Sequence, residues 1–381
     1  MASITLTQQQ FLELLRSGLW GKPADASIFQ GEIDWQSIVR IAKEQTVQVL
    51  VANGIETLPK ELWPPKAAIF KLMEYKSTTV KMHHLLNSVL AKITTALNAE
   101  GIPSVLLKGQ GLAQNYLIPE SRMCGDIDLY VGEENFYKAA DIIASFSDET
   151  IEPKEGLTGK EKHTEINVNG VIIEVHRKST STFNPRQERL LNAWTKRQLD
   201  SHFNDGTLPT INFNQVPVNI PSTDFNTIFL LYHAIHHMLI GGIGLRQICD
   251  WAILLYKHHS EINRTELKAY LKSFHLEPVW REFCRVAVNI IGLDPQYLPL
   301  VPIDIASTKG TEFLINDIFE KGNFGHHQHI PYGSCYIKRK WRSFIRTTKR
   351  FAKITKLFPR FAIPTVLSMY KLIIKSNLKS E

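Results

Sequence analysis

Cysteine and long apolar runs are scarce in this chain of 381 residues. Its four cysteines, Cys124, Cys249, Cys284 and Cys335, lie far apart and form no CxxC pair and no Cys/His group with zinc-ligand spacing. We therefore expect reduced, structural thiols. No run approaches the roughly 20 apolar residues of a membrane span, and the first residues show no signal-peptide pattern. These features favour a cytoplasmic protein.

Acidic residues are almost missing from the C-terminal end. Residues 338–381 contain thirteen Lys and Arg and one acid, a net charge of +12, whereas the whole chain carries +7. The remainder is therefore mildly acidic. A basic tail on such a body predicts an anionic partner, which is phospholipid, nucleic acid or another polyanion, bound through residues 338–360. The expected location is cytoplasmic, and peripheral association with a membrane is an open alternative.

The overall composition is that of a globular protein, with 44% hydrophobic and 21% charged residues. Apolar positions at helical spacing predict helices from Thr7 to Leu15, from the N-cap Asp34 to Val51, and from Pro65 to Leu97. No catalytic group stands out there. We interpret this part as a helical layer packed on the following domain.

The next stretch alternates short strands with turns. Residues 104–107 read as a strand, Lys108-Gly109 as a turn, and Leu112 to Tyr116 as a short helix. A second strand then carries Asp126 and Asp128 on one face, because side chains alternate along a strand. Two parallel carboxylates suit a hard cation such as Mg²⁺. A helix start beside Lys108 favours an anion.

A third acid follows on a predicted hairpin. The strands 164–168 and 171–176 are joined by Asn169-Gly170, a strong two-residue turn signal. Glu174 lies on the same face as His176 of a strand that otherwise looks buried. If this strand pairs with the Asp126/Asp128 strand, Glu174 completes a cluster of three carboxylates.

Histidines mark the later helical part. His233 and His237 are four residues apart on a helix that begins near Asp224, and a helix resumes from Leu245 to His258. Such a pair can bind zinc, pack in the core or contact a substrate; with no clear third ligand, the last two readings are favoured. The histidine-rich segment 321–329 reads as a solvated loop.

The basic tail has the pattern of an amphipathic helix. Pro359 and Pro364 are expected to end it before a second helix from Thr365 to Ile374. The tail can pack on the body as a terminal helix, lie on a membrane surface or bind nucleic acid. Its apolar positions share one side, at i, i+3 and i+4 spacing: Trp341, Phe344, Ile345, Ala352 and Phe358.

Several of these motifs occur in an order and spacing that resemble the DNA polymerase beta-like nucleotidyltransferase superfamily, and more closely its bacterial branch of uncharacterised nucleotidyltransferases. The resemblance covers roughly residues 100–255. The matching motifs are Leu107-Lys-Gly109, Arg122 with Gly125-Asp-Ile-Asp-Leu129, His163 before Ile173-Glu-Val-His176, the His233/His237 pair, and Leu245-Arg-x-x-x-Asp250.

The resemblance implies that Asp126, Asp128 and Glu174 act in catalysis and hold Mg²⁺ or Mn²⁺, with an NTP, ATP above all, as substrate. One departure is that Lys108-Gly109-Gln110 stands where the superfamily has Gly-Ser, so the serine hydroxyl is missing. Glu174 stands where many relatives have Asp, which is a milder departure.

Further roles follow from the same resemblance. The implied nucleotide-binding residues are Lys108, Gly109, Gly125 and Arg122. The implied site-lining residues, which can instead satisfy buried polar contacts, are His163, His176, His237, Arg246 and Asp250.

The predicted fold is α+β, with a small mixed-sheet nucleotidyltransferase core between helical regions. The predicted divisions are 1–98 (helical), 99–222 (core), 223–335 (helical) and 336–381 (basic amphipathic tail). The leading hypothesis is metal-dependent transfer of a nucleoside monophosphate from an NTP to a hydroxyl of a small or glycan-like acceptor. The alternatives are an RNA-modifying nucleotidyltransferase that uses the tail, and a catalytically degenerate nucleotide-binding or scaffold protein.

Overall fold

A computed structural model describes residues 4–147, 162–180, 182, 184–203, 205–323 and 336–377, without the side chains of 240, 336–344, 346–347 and 372–377. Fourteen α-helices and six strands lie in these ranges. The strands form one mixed sheet with helices on both sides. This confirms the predicted α+β class with its flanking helical regions.

The N-terminal part is helical, as predicted, but one helix is divided in two. The predicted helix from Asp34 to Val51 is interrupted at Thr46, whose φ of 58° is incompatible with a right-handed helix. Asp34 does cap the first piece, accepting a hydrogen bond from the Ser37 amide. The four helices are α1 (Leu6–Trp20), α2 (Trp35–Glu44), α3 (Gln48–Ile55) and α4 (Lys66–Ala99).

The six strands are β1 (Val105–Leu106), β2 (Asp126–Tyr130), β3 (His163–Val168), β4 (Val171–His176), β5 (Thr210–Phe213) and β6 (Val216–Asn219). They form the sheet in the order β3-β4-β2-β1-β6-β5. The predicted hairpin is confirmed as β3 and β4. Strand β4 also pairs with β2, in parallel, which meets the condition for Glu174 to join the two aspartates. The hairpin β5/β6 was not identified in the sequence. The helices of this part of the chain are α5 (Gln110–Ala113), α6 (Gly132–Ala144) and α7 (Pro185–Gln198).

The two faces of the sheet have different environments. Alternation along β2 sends Ile127 and Leu129 into an apolar layer with α4 and α6. Asp126 and Asp128 therefore face the other way, toward the main helical body. That body supplies the second and larger apolar core. Val105 and Leu107 belong to this core and not to the layer that contains Ile127 and Leu129.

The C-terminal helices complete the body. The helices predicted from Asp224 and from Leu245 to His258 are confirmed. Pro364, expected to end the tail helix, lies inside the last helix, while Pro359 occupies its first turn, where a missing N–H costs little. The helices are α8 (Thr223–Ile240), α9 (Leu245–His258), α10 (Arg264–Ser273), α11 (Glu277–Val286), α12 (Lys309–Lys321), α13 (Tyr336–Leu357) and α14 (Pro359–Asn377).

The tail helices pack on the body along one side. Phe351 and Ile354 of α13 and Phe361 of α14 are buried. Arg350 is buried as well and forms an ion pair with Asp317 of α12 while also donating to the Met238 carbonyl. Of the three roles considered for the tail, packing on the body as a terminal helix therefore applies to this side.

Some predictions fall outside the described ranges. The histidine-rich loop does so beyond Asn323, as do Cys335 and the side chains of Trp341 and Phe344. The other three cysteines carry free thiols, as predicted. Among helices of the described residues, none combines the length and apolarity needed to cross a membrane.

Helices α1 and α3 approach so closely that both need glycine at the crossing. A Cβ added to Gly18 would lie 1.9 Å from the Leu50 carbonyl oxygen, and one added to Gly54 would lie 2.0 Å from that of Leu14. Backbone atoms cannot yield as a flexible side chain can. The crossing therefore requires two residues without side chains.

We predict that Gly54→Ala lowers the free energy of unfolding by about 1–3 kcal/mol or more, because the helices must separate to admit the methyl group. Denaturant titration monitored by circular dichroism measures this decrease in the free energy of unfolding. Gly125→Ala is the matched control, since an added Cβ there meets nothing within 4 Å. Equal stability of both variants would contradict the close crossing.

Candidate active site

Three carboxylates meet on the face of the sheet that looks toward the helical body. In the parallel β2/β4 pair, Asp128 is directly opposite Glu174, and Asp126 precedes Asp128 by two residues on the same face. Oxygen atoms of all three lie within 4.8 Å of one another. Strand pairing, rather than a flexible loop, thus holds the predicted three-acid cluster together.

Two cations of the protein lie against this cluster. The Lys108 Nζ is 3.1 Å from the Asp128 Oδ1. The His176 Nε2 lies 3.0 Å from the same oxygen and 3.1 Å from the Glu174 Oε2, so it can donate one shared proton to two carboxylates. Asp128, which is 1% exposed, is thereby neutralised from two sides.

The titration behaviour follows from these contacts. Burial raises the pKa of Asp126, and the charge of Asp128 raises it further. Burial alone would raise the pKa of Asp128 too, but Lys108 and the hydrogen bond with His176 outweigh it and hold that pKa far below its ordinary value. Burial likewise opposes charge on Lys108 and His176, yet the neighbouring carboxylates raise the pKa of both groups.

A buried oxygen of Asp128, Oδ2, has no hydrogen-bond partner among the described residues. An orphaned carboxylate oxygen is costly to bury unless a cation or a water meets it. Three oxygen donors of this kind match the preference of Mg²⁺ or Mn²⁺. The donor set therefore fits a hard divalent ion.

The turn before α5 brings backbone close to the acids. Gly109 has φ 67° and ψ −122°, a conformation that only glycine adopts readily, and a Cβ there would lie 3.4 Å from the Asp126 carbonyl oxygen. Helix α5 begins at Gln110 and ends at Ala113, earlier than the predicted helix from Leu112 to Tyr116. The Gln110 side chain is fully buried, and its amide has no hydrogen-bond partner among the described residues.

Arg122 and Asp250 form a buried bidentate ion pair beside the cluster. The Arg122 Nε and Nη2 lie 2.8 Å from the two carboxylate oxygens of Asp250, and the Tyr116 hydroxyl donates to Asp250 at 2.6 Å. Arg122 also donates to the Cys124 Sγ at 3.0 Å. These contacts fix α9 against the core. Both side chains therefore make buried polar contacts, while their contact with a substrate stays a prediction.

Arg246 has a different environment. Its Nη1 donates to the Met123 carbonyl at 2.9 Å, while its buried Nε has no partner among the described residues. Burial lowers the pKa of Arg246, and the nearby Arg122 lowers it further. A cavity of about 70 Å³ is lined by Arg246, by Lys108 and Gly109 of the turn, and by Asp126 of the carboxylate cluster.

The histidine of α8 that lines this cavity is His233, not the predicted His237. The two rings contact each other, with 3.0 Å between their Nε2 atoms. Burial, together with the charge of Lys108, lowers the pKa of His237 to about 3 and holds that of His233 well below its usual range. Neither belongs to a group of three metal-ligating side chains within the described residues. The sequence signals for His233 were its helical spacing from His237 and its place in the family-like His233/His237 motif.

Two further predicted residues, His163 and Gly125, lie on β3 and directly before β2. His163 of β3 is directly opposite His176 of β4, and the two ring centroids are 5.1 Å apart. Burial lowers the pKa of His163, and His176 lowers it further. Gly125 precedes the acidic strand with open space around it. Its role in binding a nucleotide stays a prediction, as does that of Arg122.

Comparison with known protein families identifies one match. Residues 31–292 match the family described as "Uncharacterised nucleotidyltransferase", and this region contains the whole sheet, the three carboxylates and α9. Comparisons with curated proteins and with solved structures gave no match. The family match covers more than half of the chain and the complete candidate site. The chain therefore belongs to this nucleotidyltransferase family.

Proposed function

We propose that the chain transfers a nucleoside monophosphate from an NTP, ATP above all, to a hydroxyl group of an acceptor. The observation that carries the proposal is the cluster of Asp126, Asp128 and Glu174 on paired strands, with an orphaned buried oxygen on Asp128. Holding three acids this close without a cation is unfavourable. Membership of a nucleotidyltransferase family supports the reaction class. A small or glycan-like acceptor is the class that the sequence resemblance implies.

In this proposal the three acids hold Mg²⁺ or Mn²⁺ together with the triphosphate. The ion would supply charge neutralisation at the α-phosphate and at the leaving pyrophosphate. Lys108 and Arg246 add positive charge on the same side as the Gly109 turn, where the backbone can approach a phosphate closely. Orientation of the two reactants then lowers the barrier.

Glu174 is the proposed general base. Its side chain is 22% exposed, whereas that of Asp128 is fully buried, so an acceptor can reach it more easily than Asp128. It accepts the proton of the acceptor hydroxyl as that oxygen bonds to the α-phosphorus. The bond from the α-phosphorus to the bridging oxygen breaks, and pyrophosphate leaves with the electron pair.

Metal-dependent nucleotide binding is the first test. We expect native protein to bind ATP in a Mg²⁺-dependent manner, and the pair Asp126→Asn/Asp128→Asn to lose this dependence, weakening binding about 100-fold or more. Isothermal titration calorimetry with and without Mg²⁺ measures it. The matched control is Asp141→Asn, an exposed acid on α6. An ATP affinity that changes neither with Mg²⁺ nor in the double variant would overturn the proposal.

Transfer itself is tested with NTPs labelled at the α-phosphate, incubated with the protein and a cell extract. We expect label to appear in an acceptor molecule and pyrophosphate to be released, and both to stop in Glu174→Gln. Mg²⁺-dependent binding of ATP without either product, across acceptor fractions, would favour the catalytically degenerate alternative instead.

Lys108 competes with the metal in this arrangement. The Lys108 ammonium is 3.1 Å from the Asp128 Oδ1, so it repels a cation bound to the same carboxylate and weakens its own bond to Asp128, which as a hydrogen bond between charged groups contributes about 1.5–3 kcal/mol. We predict that Lys108→Met strengthens Mg²⁺ binding about 10- to 100-fold and weakens binding of the Mg²⁺–ATP complex. Lys138→Met, which removes an exposed ion pair with Glu100, is the control. Unchanged affinities for both ligands would refute the competition.

The exposed side of the tail supports a second proposal, that the protein docks on anionic lipid. Lys349, Lys353 and Lys356 follow helical spacing along α13 and are exposed. The α13/α14 hairpin also exposes Ile363 and Leu367, at 43% and 57%. Exposed apolar groups on the same helical hairpin as exposed lysines favour a lipid surface over nucleic acid.

We predict that changing these three lysines to Gln weakens sedimentation with anionic vesicles about 100-fold, since each contributes about 1 kcal/mol near such a surface. The control changes Lys66, Lys71 and Lys81, three exposed lysines of α4. Equal binding of both variants would exclude the lipid surface. RNA binding that falls steeply with salt, and is lost only in the tail variant, would favour the RNA-modifying alternative.

A further inference from the structure

A second group of metal-ligating side chains lies beside the carboxylate cluster. Strands β4 and β3 are antiparallel, and His176 is directly opposite His163. Glu174 is two residues before His176 and thus on the same face of the sheet. Donor atoms of His163, His176 and Glu174 lie within 4.8 Å of one another. Glu174 therefore belongs both to this histidine group and to the cluster of three acids.

The position of the histidine group is open on one side. Strand β3 is at the edge of the sheet, and 34% of the His163 side chain is exposed. Its Nε2 is 3.8 Å from the Glu165 Oε1, too far for a hydrogen bond. Water can therefore reach His163 and fill further coordination positions on this side. On the opposite, inner side of the group lies His176, whose side chain is only 12% exposed.

The carboxylate cluster alone does not account for His163. His176 already bridges Asp128 and Glu174, whereas His163 packs against the ring of His176 and forms no such bridge among the described residues. Cross-strand pairs of aromatic rings occur in many sheets, but two imidazoles with a carboxylate on the same face form a ligand set. Two histidines and one glutamate, with an open position, is the set of an open zinc site.

We propose that His163, His176 and Glu174 form a binding site for a second divalent ion, of the borderline transition-metal class that includes Mn²⁺, Co²⁺ and Zn²⁺. Imidazole nitrogens favour these ions over Mg²⁺, while the three acids favour a hard ion. The two sites share Glu174. The chain would thus hold two ions of different character side by side. This site does not depend on the transfer reaction, since its ligands can bind a metal whether or not an NTP reacts.

Cobalt titration of the full chain, without an affinity tag, tests this inference. Co²⁺ bound by nitrogen ligands gives visible absorption bands, which Mg²⁺ does not give. We expect native protein to develop these bands on addition of Co²⁺. His163→Gln should weaken the spectroscopic site more than about 100-fold, beyond the 10- to 100-fold that loss of a mere supporting group costs. Its calorimetric Mg²⁺ affinity should stay unchanged.

The sequence offers a matched control, because His326, His327 and His329 are a second set of neighbouring histidines. Their triple change to Gln should leave the absorption bands intact. His163→Ala serves as a second variant, and circular dichroism verifies folding. Bands that survive in both His163 variants, or that vanish in the triple variant, would overturn the inference.

The same titration separates this inference from the proposed function. In Asp126→Asn, Mg²⁺ binding should be lost while the Co²⁺ bands persist, because Asp126 is no ligand of the histidine group. Failure of native protein to bind Mg²⁺ would count against the carboxylate site alone. Absence of Co²⁺ bands from native protein, with Mg²⁺ binding intact, would count against the histidine site alone.

Discussion

The repulsion among three neighbouring carboxylates is the constraint on which the candidate site depends. Asp126, Asp128 and Glu174 are held together by the backbone pairing of β2 and β4, so they cannot relax apart. The protein offsets part of the repulsion with Lys108 and His176, and the Asp128 Oδ2 has no hydrogen-bond partner among the described residues. Protein cations thus balance only part of the negative charge, and that carboxylate oxygen still lacks a partner within the described part of the chain. Such a site is suited to binding a metal ion in place of its own cations.

The helical body limits access to this face of the sheet. Helix α9 is fixed by the Arg122–Asp250 ion pair, which Tyr116 completes, and its N-terminal amide is capped by the Gln45 side chain from the α2–α3 connection. Breaking a buried pair of this kind costs several kcal/mol, because the remaining charge is left without a partner. The position of Arg246 near the acids therefore depends on residues more than a hundred positions away in the chain.

The tail illustrates two uses of one amphipathic pattern. Its inner side carries Phe351, Ile354 and the Arg350–Asp317 pair, which join it to the body. Its outer side keeps lysines in solvent. A helix can serve both purposes because residues three and four apart share a side, so apolar and basic rows run along it separately.

The local sequence determined much of this protein. Alternation on β2, the Asn169-Gly170 turn and the helical periodicities predicted elements that the structure confirms, because these depend on neighbouring residues. Breaks were harder to predict: Thr46 divides a helix through its left-handed backbone, and Pro364 lies within a helix that tertiary packing sustains. The hairpin β5/β6, with its short strands, was missed. Only the tertiary structure decided that Glu174 stands opposite Asp128, that Lys108 pairs with an acid, and that His233 lines the cavity, because contacts between distant segments follow from packing that no local pattern encodes.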